Sequence, residues 1–193
     1  MAYRFLYLVR HGQFDGNLHA NPDGKLTTLG RRQARRAAKA LAGIPVTAIH
    51  MSTLPRTLET AQPFIKAFPA ARVERTRRLW ECLPPIAPEL RTGYFAHYTD
   101  AELARQAAHA ARAYTHYFRR TRGKDRHEVL VTHGNLIRYL ACRAMHVDPL
   151  AWVNLRSANC GITRVLVEPD GTVALLSYND VTHLELDHLT DNL

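Results

Sequence analysis

Cysteine is scarce in this 193-residue chain, and the three present, Cys82, Cys142 and Cys160, are spaced as neither a disulfide framework nor a zinc site. That scarcity leads us to expect a reducing, cytoplasmic setting. Long apolar runs are also missing: none approaches the roughly 18 residues a spanning helix needs, so no membrane association is expected. The opening apolar stretch stops at Arg10, too soon for a signal peptide. Acidic residues are in the minority, 17 Asp+Glu against 26 Lys+Arg, for a net charge of +9 with histidine neutral. Ten Gly and ten Pro are dispersed, without the period or density of a collagen or a low-complexity tract. With 46% hydrophobic residues the chain can bury a core, and it has neither repeats nor a linker. The expectation is one domain over residues 1–193.

Patterning then places the elements. Tyr3 to Val9 reads as a strand buried on both faces, ending at Arg10-His11-Gly12. Thr28 is placed as the cap of a helix carrying Leu29, Ala34, Ala37, Ala38 and Leu41, stopped by Gly43. A strand near Val46 to Met51 leads into Ser52-Thr53-Leu54-Pro55, the start of a second helix that Pro63 should end or kink. Residues 72–79 read as a strand, and three prolines within 84–88 dictate a loop. Thr99 and Glu102 form a capping box for a long helix with Leu103, Ala107, Ala110, Tyr114 and Phe118 on its stripe. Glu128 to Thr132 is a second buried strand, ending at His133-Gly134 before another helix. Ile162–Val167 and Thr172–Ser177 flank Glu168-Pro169-Asp170-Gly171, a hairpin. The fold class is α/β: a mainly parallel sheet with helices on both faces and an antiparallel C-terminal edge hairpin. Ligands of such sheets sit beyond the carboxyl ends of strands, where His11 and His133 fall.

A lone strand-terminal histidine is ordinarily a loop residue bonded to a carbonyl, so the ordered set matters more than either histidine. Arg10-His11-Gly12, Asn17, Leu26-Thr27-x-Leu29-Gly30-x-x-Gln33-Ala34, Ser52-x-x-x-Arg56-x-x-Glu59-Thr60-Ala61, Glu81 and Val131-Thr132-His133-Gly134 follow one another. This set resembles the histidine phosphatase superfamily, the phosphoglycerate-mutase-like proteins. The resemblance implies His11 as nucleophile, His133 as a second imidazole on the phosphoryl oxygens and Glu81 as general acid and then base. It implies Arg10 and Arg56 as the phosphate clamp, with Gly12, Asn17 and Ser52 as auxiliary phosphate-site residues. The residue types suit the chemistry: without a metal, charge on a transferring phosphoryl group must be met by preorganised cations, and guanidinium forks bind phosphate bidentately. No metal and no cofactor is expected.

The mutases of the family look longer, with an insertion after the glutamate, whereas 51 residues separate Glu81 from His133 here. Small-molecule phosphatases usually follow that glutamate with Gly-aromatic-Glu-Gly; this chain reads Glu81-Cys82-Leu83-Pro84-Pro85-Ile86-Ala87-Pro88. That loop, His133 to Ala144 and the closing hairpin are similar to the mitochondrial phosphoglycerate-mutase-like serine/threonine protein phosphatases. Their amino-terminal anchor and assembly segment have no counterpart before the first strand, so anchoring is not expected to carry over. The expected partner is a phosphorylated substrate, phosphoprotein or small phosphoester, with an oligomer possible. A nucleic-acid partner is disfavoured: the stripe Arg31, Arg32, Arg35, Arg36, Lys39 and the run Arg119 to Arg126 lack interleaved stacking aromatics. A phosphate-binding protein without turnover is disfavoured by the full set of catalytic residue types. His109, His116, His183 and His188 lack ligand spacing, and Cys82 beside Glu81 is either a redox handle or a small buried residue.

Overall fold

The computed structural model describes residues 1–16 and 24–191. Its single sheet has six strands in the order β3-β2-β4-β1-β5-β6, formed by β1 (Arg4–Arg10), β2 (Ala48–Met51), β3 (Arg72–Arg75), β4 (Arg126–Thr132), β5 (Ile162–Val167) and β6 (Val173–Asp180). The first four are mutually parallel along the pairs β3-β2, β2-β4 and β4-β1, while β5 and β6 close one edge antiparallel. This is the α/β architecture expected from the alternation of patterns. At the opposite edge β3 reads Arg-Val-Glu-Arg, a short charged strand of the kind that discourages pairing with another sheet.

Strand β1 alternates its apolar payload between two layers. Leu6 and Leu8 point with Leu130 toward α3 (Asp100–Tyr117) and α4 (Gly134–Ala144). Tyr7 and Val9 point with Val129 and Val131 toward α1 (Thr28–Ala40) and α2 (Pro55–Ala67). Burying side chains such as Phe64 or Leu130 contributes about 1.5–3 kcal/mol each. One buried charge network crosses the sheet: Arg4 donates to Glu128 at 2.6 Å, and His50 Nε2 lies 3.5 Å from the same carboxylate.

Local departures have local causes. The first helix is capped by Thr27, whose hydroxyl accepts from Gly30 N–H, so Thr28 is its first residue rather than its cap. Helix α2 runs four residues past Pro63, because that position is only partly buried and water can meet the Glu59 carbonyl that loses its donor. Residues 72–79 divide into β3 and a 3-10 turn at Arg77–Leu79, since the chain must turn inward to bury Leu79. The capping box at Thr99 and Glu102 is present, but Ala113 and Tyr117 replace Ala107 and Tyr114 on the fully buried stripe. The proline loop is packed down: Cys82, Leu83, Ile86 and Ala87 are buried, and Trp152 Nε1 donates to Pro85 O at 2.7 Å.

Candidate active site

Three parallel strands, β2, β4 and β1, end side by side, and the residues after β1 and β2 each continue the ladder onto β4 by one bond. His11 N–H donates to Thr132 O at 2.9 Å, and Ser52 N–H donates to Val131 O at 3.1 Å. His11, Ser52 and His133 are thereby set beside one another by the sheet itself. The two imidazole rings lie 5.2 Å apart between centroids at 63°, both buried. Thr132 Oγ1 donates to Leu79 O at 2.8 Å, tying the Trp80-Glu81 segment to the end of β4. Glu81 and Arg10 then line one cleft of ≈ 580 Å³ with Gly134, Asn135 and Arg138.

The hydrogen bonds define ring states. His11 Nδ1 is 2.9 Å from Gly12 O, a carbonyl that can only accept, so the proton sits on Nδ1 and Nε2 is left bare. Burial foremost, then the Arg56 guanidinium, hold the His11 pKa well below the usual histidine range and outweigh the Gly12 bond that favours the cation. His133 is also held well below that range, by burial and then by His11 and both arginines. Its Nε2 pairs with Ser52 Oγ at 3.0 Å and its Nδ1 lies 3.3 Å from Arg56 Nη2. Arg56 stacks on Phe14 at 4.8 Å from the ring centroid, and its Nε has no hydrogen-bond partner among the described residues. Glu81 is reached by water through the cleft mouth, yet the walls around its carboxyl raise its pKa. The Cys82 N–H, Arg10 and Arg56 pull it down by less.

Arg10, His11, Arg56, Glu81 and His133 are thus brought to one place. Gly12 and Ser52, expected as auxiliary phosphate-site residues, are bonded to protein groups in this structure. The Gly12 amide donates to Thr60 Oγ1 at 2.9 Å, and a Cβ there would strike Gly30 O; its smallness serves packing of the β1 loop on α1. The Ser52 hydroxyl is fully buried behind His133 and orients that ring. Asn17 lies outside the described residues. Cys82 is buried and burial pushes its thiol up, so it is a packing residue. His109 and His116 are half-buried rather than superficial. Among the described residues the one cluster with metal-ligand types, Glu185, Asp187 and His188, is engaged otherwise, since Arg36 pairs with Glu185 and Arg32 Nη1 lies 3.1 Å from His188 Nε2.

Four residues behind the site escaped sequence reasoning. Asn159 Nδ2 donates to His11 O at 2.9 Å, and Thr60 receives the Gly12 amide. Gln33, fully buried, accepts from Gln13 N–H and donates to His188 O and Thr190 Oγ1, strapping the chain's last turn to α1. That strap delivers Asp191 to Arg10, Nη1 to Oδ1 at 2.6 Å. Gln33 and Thr60 carried a signal, as parts of the Leu-Thr-x-Leu-Gly-x-x-Gln and Arg-x-x-Glu-Thr-Ala runs, but without these roles.

Comparison with known proteins agrees with this geometry. The model of the histidine phosphatase superfamily, branch 1, matches residues 6–181, nearly the whole fold. The chain belongs to the histidine phosphatase superfamily. Among curated relatives of this family member is the mitochondrial serine/threonine-protein phosphatase Pgam5 of Caenorhabditis briggsae, 35% identical over 95% of this chain and 65% of the relative. Its Homo sapiens counterpart is 33% identical over 98% of the chain and 66% of the relative. The chain therefore spans just under two thirds of the length of these relatives. A crystal structure of a Plasmodium falciparum phosphoglycerate mutase superposes with a TM-score of 0.66 at 28% identity, covering 96% of each chain. One expectation is overturned: cysteine usage pointed to the cytoplasm, whereas the relatives are named as mitochondrial proteins.

Proposed function

We propose that the protein is a metal-independent phosphomonoesterase that forms a phosphohistidine on His11 and hydrolyses phosphoserine and phosphothreonine in peptides or proteins. The observation that carries this is the bare, unprotonated Nε2 of His11 among two guanidinium groups, a second imidazole and a carboxyl of raised pKa. Membership of a phosphatase superfamily and relatives named as serine/threonine phosphatases support the hydrolase class and the substrate. In this reading the whole of residues 1–193 acts as one catalytic domain.

The reaction runs in two displacements. His11 Nε2 attacks phosphorus as the ester P–O bond breaks, and Arg10 and Arg56 neutralise the charge on the equatorial oxygens. Glu81, whose raised pKa favours the protonated form, gives its proton to the leaving alkoxide. The resulting carboxylate then takes a proton from water, whose oxygen attacks phosphorus and breaks the N–P bond. Phosphate leaves and Glu81 is protonated again. His133 serves through a tautomer change: Ser52 Oγ can either accept from or donate to Nε2, so Nδ1 can turn from accepting Arg56 to donating to a phosphoryl oxygen. Substrate phosphate also displaces the Asp191 carboxylate from Arg10.

A second reading, a small phosphoester as substrate, is favoured by the cleft of ≈ 580 Å³, a volume usual for small-molecule sites. Phosphate release in EDTA, measured on phosphoserine and phosphothreonine peptides, 3-phosphoglycerate, sugar phosphates and p-nitrophenyl phosphate with His11→Ala as blank, separates the two. Peptide preference upholds the proposal. Preference for one small ester moves the enzyme to metabolism, and loss of activity in EDTA or turnover by His11→Ala contradicts the mechanism.

A further inference from the structure

The reaction above uses Arg10 and Arg56 and leaves two arginines of the same cleft without work. Arg138 stands one turn after Asn135 on α4, about 4.5 Å further along the helix. Its guanidinium lies 4.7 Å over the Trp152 ring, donates to Leu155 O at 3.0 Å and bonds Asn135 Oδ1. Those bonds occupy two of its five N–H groups and fix its plane. Desolvation lowers its pKa, a cost that an arginine turned to bulk solvent would not bear. Arg156, exposed and lining the same cleft, makes no side-chain hydrogen bond among the described residues. No carboxylate pairs with either guanidinium among the described residues, whereas Arg31, Arg36, Arg91 and Arg164 each hold one. Glu81 and Asp191 act on Arg138 across the cleft but neither touches it, so a fixed, partly desolvated cation still has donors to offer an external anion.

We propose that Arg138 and Arg156 form a second anion subsite that selects substrates bearing an acidic group beside the phosphoester, in a phosphopeptide a Glu or Asp near the phosphorylated residue. This rests on the phosphomonoesterase reading and specifies its substrate. Arg138 lies one helical turn from the Asn135 end of the cleft, and an extended peptide advances about 3.3 Å per residue, so the acidic side chain lies within about two residues of the phosphate. Phe95, Tyr98 and Val153, which line the same cleft, give the intervening side chains an apolar bed.

The test compares kcat/KM for p-nitrophenyl phosphate and for three phosphothreonine peptides that differ only in Glu, Gln or Lys at the flanking positions. The enzymes are wild type, Arg138→Gln, Arg156→Gln and Arg122→Gln, the last removing one exposed charge in the α3–β4 connection. Wild type should prefer the Glu over the Lys peptide by about tenfold or more, mostly in KM. Arg156→Gln should reduce that preference to about threefold or less with p-nitrophenyl phosphate turnover unchanged, and Arg122→Gln should leave it intact. Equal rates on all three peptides, or equal loss in Arg156→Gln and Arg122→Gln, overturns the subsite in favour of general steering by net charge. Parallel assays of 3-phosphoglycerate against glycerol 3-phosphate identify a small phosphoester bearing a carboxylate as the source if that preference is the one Arg138→Gln removes. Absence of p-nitrophenyl phosphate turnover in wild type would strike the parent reading instead.

Discussion

At the scale of single residues, protonation states make the chemistry. His11 is uncharged because it is buried beside arginines, and the cleft walls shift Glu81 toward its protonated form. Leaving-group dependence isolates the second of these. Glu81→Gln should slow phosphothreonine peptides by about 100-fold or more and p-nitrophenyl phosphate by far less, since a phenolate leaves without protonation. The comparison is made in kcat/KM, which ends at departure of the leaving group and so excludes the base step that both substrates share; equal loss there would contradict Glu81 as the acid. The five residues gathered at the site were legible through the ordered set of motifs: Arg10, His11 and His133 stand at strand ends and Arg56 in the first turn of α2, while Glu81, past the 3-10 turn Arg77–Leu79, rested on the resemblance alone. Asn159 was not legible, and Thr60 stood in the quoted motif without its role. They act on the His11-Gly12 backbone through contacts spanning 148 and 48 residues respectively, and nothing local announces such contacts.

At the scale of elements, the site depends on how closely the β1 loop meets α1. Gly30 packs against Gln13 so tightly that a Cβ would penetrate the Gln13 carbonyl, and Gly12 meets Gly30 O in return. Gly30→Ala should therefore lower stability by about 1–3 kcal/mol in urea denaturation and reduce turnover with it, because His11 is displaced along with the loop. Unchanged stability would show that the loop is not held there. The elements themselves followed from pattern: buried runs gave β1 and β4, and the Thr99–Glu102 box gave α3. What pattern did not supply was the inward packing of the proline loop. Three prolines rule out regular structure, but the burial of Leu83 and Ile86 and the bond to Trp152 come from a segment 67 residues away.

At the scale of the molecule, pH couples activity to stability. The reaction needs His11 bare, above its lowered pKa, and Glu81 protonated, below its raised one, so kcat/KM on alkyl phosphoesters should peak on the acid side of neutrality and fall as pH rises. A plateau extending through pH 9 would contradict this. Stability runs the other way. His11 and His133 bind protons more weakly folded than unfolded, so stability is full above their unfolded value of 6.5 and declines as pH falls from there toward their depressed folded values. Burial pushes the Glu128 carboxyl up, but His50 and Arg4 together bring it down to about 2, so its contribution is lost only from 4.5 down to that value. Urea midpoints across pH 3–8 should show this descent, flattened in the upper part by His11→Ala. All of this presupposes a covalent phosphohistidine, which can be sought directly. Acid-sensitive, base-stable phosphate should appear after millisecond quenching with labelled phosphothreonine peptide, in the tryptic fragment of residues 11–25, on His11 and not on His19 of that fragment. Turnover by wild type with no label at His11, or with label retained in His11→Ala, would contradict the account.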